Sequence, residues 1–273
     1  MDKLPLFDMW LNLIKEEQES VLATVLPNSR SETRTNQARL LLSRGNNPLG
    51  DLGEEKINFQ VTEIAIKKLQ EVNPKSETYI FTLENGKEMN IFVDVYIPPS
   101  EIMIFGAGHD AIPVAKYAVS LGFKTTVVDQ RRSYNNEERF PNTNILILSP
   151  DDFHDQLNIG QRTYIIVMNH HFQRDIETLK FVLPSIAPYV GVLGPHSRRI
   201  RMLKAIESEG VVFNDDELKR MYSPIGLDIG SATSEEIAIS IMAEIIAKKN
   251  GHTAGFLRES EHIHHRGNTK MVV

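Results

Sequence analysis

The sequence predicts an α/β protein: a Rossmann-type, doubly wound parallel sheet preceded by a smaller amino-terminal α+β domain. Three observations carry this. From residue 101 to about residue 213, short runs that are apolar throughout alternate with helical patterns, as strands buried on both faces alternate with the helices that cover them. The first of these runs leads into Gly106-Ala107-Gly108-His109-Asp110-Ala111, a G-x-G-x-x-A turn between strand and helix. The second strand then ends on an acid, Asp129, 21 residues beyond Gly108.

The elements follow in order. Leu6, Met9, Trp10, Leu13 and Ile14 fall at helical spacing, so residues 4–19 read as an amphipathic helix. Residues 20–26 and 38–42 read as strands, separated by a polar stretch that holds Arg30 and Arg34. Asn46-Asn47-Pro48 and Gly50-Asp51-Leu52-Gly53 read as turns, and residues 54–72 as a helix. Residues 78–83 and 88–96 form a hairpin pattern around Glu84-Asn85-Gly86-Lys87. This first domain covers residues 1–97, and Pro98-Pro99-Ser100 is a stiff joint.

Beyond the joint, residues 101–105, 125–128, 144–148, 163–168, 189–193 and 211–213 read as six strands. Residues 112–121, 174–183 and 198–208 read as helices between them. A last helix is announced by Thr233 three residues before Glu236, a capping box. It stops at Asn250-Gly251, after Lys248 and Lys249, which suit a helix carboxyl end. The second domain therefore spans residues 98–250, and residues 251–273 are a polar tail without a predicted element.

The glycine loop is built to bring backbone close to an anion. The first glycine permits the tight turn, the second lets a ligand phosphate approach, and free N–H groups open the following helix. Asp129 stands where an acid binds the ribose hydroxyls of NAD. Other nucleotides and pterin phosphates use the same geometry, so the loop alone leaves the ligand open, as it leaves open a crevice with none. His109, His170, His171 and His196 all follow strands and emerge at the carboxyl edge, where open α/β sheets bind ligands. His109 and His170 are candidates for ligand contact, with helix capping as the alternative. Arg198 and Arg199 open a helix near the same edge and either reach a phosphate or stay solvated. Arg131-Arg132 has the same two readings. No His-x-x-x-His spacing supports a metal site, and His262, His264 and His265 sit in the polar tail.

Composition excludes several classes. A net charge of −6 argues against a large nucleic-acid footprint. No apolar run approaches the ~20 residues of a membrane span and no signal peptide is read, so a cytoplasmic protein is expected. The chain has no cysteine, which excludes disulfides, thiolate metal sites, persulfide carriage and a cysteine nucleophile.

Several strings together resemble the XdhC/CoxI family, the xanthine dehydrogenase accessory proteins. They are Ile104-Phe105-Gly106-Ala107-Gly108-His109, Phe123 to Asp129 with Arg131, Val167-Met168-Asn169-His170, and Gly191-Val192-Leu193-Gly194 with Arg198-Arg199. The most specific is Pro224-Ile225-Gly226-Leu227-Asp228-Ile229-Gly230 and the helix after it. The resemblance covers residues 101–264. It implies a chaperone-like carrier, usually dimeric, that binds the molybdenum cofactor (molybdopterin) and delivers it to a xanthine-dehydrogenase-type molybdenum hydroxylase. A cysteine desulfurase is a further partner it suggests. The crevice would hold the pterin phosphate, with Gly106, Gly108, His109, Asp129, His170, Gly194 and Arg198 around it. The first hundred residues depart from the family pattern. The loop of Arg30 and Arg34 lacks glycine, the later glycine element is reduced to Gly50-Asp51-Leu52-Gly53, and Asn85-Gly86 stands where the family has Cys-Gly-Gly. The alternatives are an NAD(P)-dependent oxidoreductase, motivated by Asp129 and the glycine loop, and a non-catalytic docking scaffold, motivated by the altered first domain.

Overall fold

The structure, a computed structural model, describes residues 5–27, 38–71, 74–83, 86–259 and 270–272. Arg30, Arg34, Asn85, His262, His264 and His265 lie outside these residues. The chain divides into two units, residues 1–98 with 255–273, and residues 99–254.

The first unit is a six-stranded sheet with a helix on each face. Its strands are β1 (Ser20–Leu26), β2 (Arg39–Ser43), β3 (Leu49–Asp51), β4 (Glu77–Thr82), β5 (Glu88–Tyr96) and β12 (Lys270–Val272), in the order β12-β4-β5-β1-β2-β3. Alternation along β1 decides which helix covers which face. Val21 and Ala23 join α2 (Glu55–Gln70) through Ile57, Val61, Ala65 and Leu69. Leu22 joins Trp10 and Leu13 of α1 (Leu6–Lys15) on the other side. Two elements depart from the sequence reading. Leu49–Asp51, which includes Gly50 and Asp51 of an expected turn, pairs antiparallel with β2 at the sheet edge. Gly50 makes this fit, because a Cβ there would run into the Arg39 carbonyl. Lys270–Val272 of the polar tail forms a strand parallel to β4.

Under α2 lies a buried charge. Lys68 is 3% exposed, and its ammonium lies 2.6 Å from Glu77 Oε2 and 2.8 Å from the Lys75 carbonyl. Glu71 Oε2 lies 3.7 Å away as well, and a lysine is tolerated there because these acceptors surround it.

The second unit is an all-parallel sheet of β6 (Glu101–Phe105), β7 (Lys124–Val128), β8 (Asn144–Leu146), β9 (Thr163–Val167), β10 (Tyr189–Val192) and β11 (Met221–Tyr222). The spatial order is β11-β10-β9-β6-β7-β8, the 3-2-1-4-5-6 arrangement of a Rossmann fold read from the other edge. Adjacent residues of each strand face opposite cores. Ile102 and Ile104 face α3 (Ala111–Ser120) and α8 (Ser234–Asn250). Met103 and Phe105 face α5 (Phe172–Val182) and α6 (His196–Ser208). Both sides are apolar, which is why these strands read as continuous runs. Two short helices, α4 (Phe153–Gln156) and α7 (Asp215–Lys219), lie in the connections.

The sixth strand is not where the sequence places it. Residues 211–213 are irregular, with Val212 78% exposed, and they lead to Asn214, the cap of α7. Val211 and Phe213 are apolar because they pack on the core beneath α5 and α6, not because they pair. The edge position belongs to Met221–Tyr222, which pairs with Val190 and Gly191. The start and stop signals of α8 do act as read: Thr233 accepts from Glu236 N, and Gly251 ends the helix in the left-handed conformation at φ 70°.

Removing Glu77 leaves the buried Lys68 ammonium with the Lys75 carbonyl and the more distant Glu71, 3.7 Å away, so Glu77→Ala should destabilise the first unit by about 3 kcal/mol. Urea unfolding followed by Trp10 fluorescence measures this, and a loss under about 1 kcal/mol would put the pair in the class of surface ion pairs.

Candidate functional site

All six strands of the second unit run the same way, so the loops that follow them gather at one edge. Between β6 and β9 the strand order reverses, and this is the switch point at which such sheets open a crevice. The glycine loop after β6 and residues 168–171 after β9 flank that point.

Their backbones interlock. Gly106 has φ 111°, and its N–H donates to the Val128 carbonyl at 2.9 Å. A Cβ on Gly106 would lie 2.5 Å from the Met168 carbonyl oxygen. The first glycine is therefore required by the neighbouring loop as well as by the turn. Gly108 is different: the space a Cβ would fill there is bounded by His170, with Cδ2 at 3.3 Å and Nε2 at 3.6 Å. The His170 ring lies over the second glycine.

His170 itself holds an uncommon conformation, φ 54°, in the left-handed region that costs most side chains about 1 kcal/mol or more. Its Nε2 lies 3.4 Å from Asp110 Oδ2. The other oxygen of Asp110 accepts from Ser234 Oγ at 2.5 Å, which joins the start of α3 to the start of α8. His109 is exposed beside them, and its carbonyl accepts from Ile112 N.

Asp129 is 5% exposed and fully engaged. Oδ2 accepts from Ala107 N at 2.9 Å and from Arg131 Nη2 at 2.6 Å. Oδ1 accepts from Arg131 N and Arg131 Nε, both at 2.9 Å. Burial pushes this carboxyl up, but the hydrogen bonds from Arg131 and Ala107 and the arginine charge together outweigh it. The group stays below the usual carboxylate range. Arg131 also lies over the Tyr134 ring, 4.4 Å from its centroid, with Arg139 at 5.0 Å from the same ring. Asn135, 2% exposed, ties this loop down by donating to the Val127 and Leu146 carbonyls at 3.0 Å each.

Across the switch point a second buried acid organises the loops. Asp175 of α5 is 1% exposed and accepts from Asn169 N at 3.3 Å and Asn169 Nδ2 at 3.1 Å. Arg198 Nη2 of α6 reaches it at 2.6 Å. Gly194, φ 132°, makes this reach possible, since a Cβ there would lie 2.8 Å from Arg198 Cδ. His171 caps α5, its Nδ1 accepting from Arg174 N. His196 is exposed in the first turn of α6, a helix with no side-chain cap and no acid in that turn. Arg199 has its Nε buried without a hydrogen-bond partner among the described residues.

Gly106, Gly108, His109 and His170 thus meet at the switch point. Asp129 and Arg198 stand beside it, each closed into an ion pair, and Gly194 serves Arg198. The sequence reading missed Asp110, Asp175 and Ser234. Asp175 carried a signal: it is a charged residue on the apolar stripe of Ile176, Leu179 and Val182. Asp110 and Ser234 are separated by 124 positions, and only the packing of α8 on α3 makes them neighbours.

The string Pro224 to Gly230 divides into two halves. Gly226, φ 96°, donates its N–H to Glu244 at 2.9 Å, and Ser240 Oγ donates to the Leu227 carbonyl at 2.6 Å. Glu244 also accepts from the Tyr189 hydroxyl, and Tyr189 stacks on Tyr222 at 4.5 Å. This half latches the end of β11 onto α8. Asp228, Ile229 and Gly230 lie in the loop that follows the last strand of this sheet, and all three are exposed. Among the described residues no group of three or more acids and histidines is placed to hold a metal ion, and no helix is long and apolar enough to cross a membrane.

Residues 102–245 match the family model of the XdhC Rossmann domain. The chain is 26% identical over 259 residues to the uncharacterized protein YqeB of Escherichia coli (strain K12), covering 90% of this chain and 47% of that protein. It is 32% identical over 158 residues to a protein of Bacillus subtilis (strain 168) named as a probable xanthine dehydrogenase component, covering 58% of this chain and 45% of that protein. The chain thus spans less than half the length of either relative. In fold it is similar to the crystal structure of a xanthine dehydrogenase from Bacillus halodurans, with a TM-score of 0.51 and 22% identity over 89% of this chain and 95% of that one.

Two expectations follow from the geometry. Gly106→Ala places a Cβ against backbone and at a φ that L residues avoid, so it should cost about 3 kcal/mol or more in urea unfolding. The Asp129 contribution is present above the unfolded carboxyl value of about 3.9 and is lost as pH falls through the lower folded one. Asp129→Asn should therefore lose less stability than the parent between pH 7 and pH 3. Equal losses would show that Asp129 does not set the acid limb.

Proposed function

The chain belongs to the XdhC family, and from that premise we propose that it is an accessory protein of a xanthine-dehydrogenase-type molybdenum hydroxylase. In this reading it binds the molybdenum cofactor by its pterin phosphate and hands it to the hydroxylase. The match of residues 102–245 to the XdhC Rossmann domain carries the reading, and the name of the Bacillus subtilis relative supports the choice of client.

The donor set suits a phosphate-bearing pterin. The amides at the start of α3, the exposed His109, and His196 with Ser197 at the uncapped start of α6 are anion donors on one sheet edge. The bound group supplies the redox chemistry of the client, and this chain supplies the hold and the release. With no cysteine anywhere in the chain, sulfur transfer to the cofactor falls to another protein. A cysteine desulfurase is the partner class that fits, and a second copy of the chain is proposed as the assembly partner.

The test is the content of the protein made in a cell that synthesises the cofactor. Protein purified under anaerobic conditions should release a fluorescent oxidised pterin and carry molybdenum at a similar molar ratio. Finding neither, from a host whose molybdenum hydroxylase is active, would sink the reading.

A further inference from the structure

The crevice is closed at two points where a dinucleotide would need it open. A dinucleotide on this fold lays its first half over the β6–β7 side, with the diphosphate crossing the second glycine and the ribose diol on the acid that ends the second strand. Here the first of those places is taken by an imidazole. The His170 ring lies within van der Waals contact of the Cβ position of Gly108, with Asp110 at 3.4 Å from its Nε2 and Ser234 holding Asp110. The second place is closed as well. Asp129 spends both oxygens on Ala107 N and on three donors of Arg131, so no acceptor remains for a diol. These two closures use different residues and arise from different loops, and they exclude the same ligand.

We propose that His170 and Asp129 are specificity-determining residues that bar dinucleotides, so that the crevice takes the nucleotide-free pterin monophosphate. This rests on the cofactor-binding reading above and narrows it. The same two residues argue against NAD(H) as the resident ligand. The direction of the selectivity is set by space at His170 and by acceptor supply at Asp129, and each can be changed separately. His170→Gly suits the backbone, because φ 54° is a conformation glycine adopts freely. Arg131→Ala returns two lone pairs to Asp129, one on each oxygen, and keeps the backbone donor.

The test has two arms. In the first, the full chain is purified from a host that makes both the nucleotide-free cofactor and its dinucleotide form. The released pterin is assayed for cytidine or guanosine monophosphate after mild acid hydrolysis. Nucleotide at less than about one-tenth of the pterin is expected; equimolar nucleotide would overturn the inference and leave the accessory reading standing. If no pterin is released, the accessory reading fails, and the inference is decided by the second arm alone. There the parent and the His170→Gly/Arg131→Ala variant are titrated with NADH, followed by nicotinamide fluorescence. The variant should bind about tenfold more tightly than the parent, the scale of one relieved clash or one recovered hydrogen-bonded pair. Parent binding as tight as the variant's, or no gain in the variant, overturns it.

Discussion

The carboxylate of Asp129 is the constraint on which the glycine loop depends. It is buried, so its charge has to be answered inside the protein, and all its donors come from two places. One is Ala107, within the loop after β6, and the other is Arg131, in the loop that β7 feeds. The acid therefore sets the distance between two neighbouring loops. Removing water from a carboxylate costs several kcal/mol, and four hydrogen bonds with an arginine charge offset that cost. The arrangement resists small displacement of the loop, because any movement of Ala107 N leaves part of a buried anion unanswered. On the other side of the switch point Asp175 plays the corresponding part for Asn169 and Arg198. The crevice is a gap between two loops, each referred to its own buried acid.

Much of the fold was legible in the sequence because its strands are of the kind that leave an unambiguous pattern. The central parallel strands are buried on both faces and bounded by turn signals, and the helices between them show their apolar stripes. The failures have different causes. Residues 211–213 are as apolar as a strand because they pack on a core, and three residues are too few for periodicity to separate packing from pairing. Leu49–Asp51 was hidden in the opposite way: its glycine looks like a turn, yet it is the one residue that allows close approach to β2.

The site was legible by residue type and not by role. The glycine loop and the edge histidines stand where strand order puts them. What each side chain does depends on partners far away in the chain, and no local pattern carries that. Arg198 looks like a phosphate ligand until Asp175 is seen beneath it, and Asp129 looks like a ribose acceptor until Arg131 is seen to fill it. Gly194 has the look of a ligand-binding glycine, and its role is to leave room for the stem of an arginine. In each case the physical reason is the same: a charged side chain near a crevice is drawn first to whatever opposite charge is buried closest.

The pairing of Lys270–Val272 with β4 has a consequence for how the molecule comes into being. The register sets Lys270 against Tyr79, so the sheet of the first unit closes with a segment synthesised long after the strand it joins. The second unit is one uninterrupted stretch, residues 99–254, and lies between the two. On a ribosome that stretch can complete its sheet while the edge of β4 still waits for its neighbour. An edge strand left open is a surface to which other chains add. Chaperone demand during translation should therefore concentrate on the first unit, and a chain cut short before residue 270 should carry a well-formed nucleotide-fold half beside an unfinished, adhesive one.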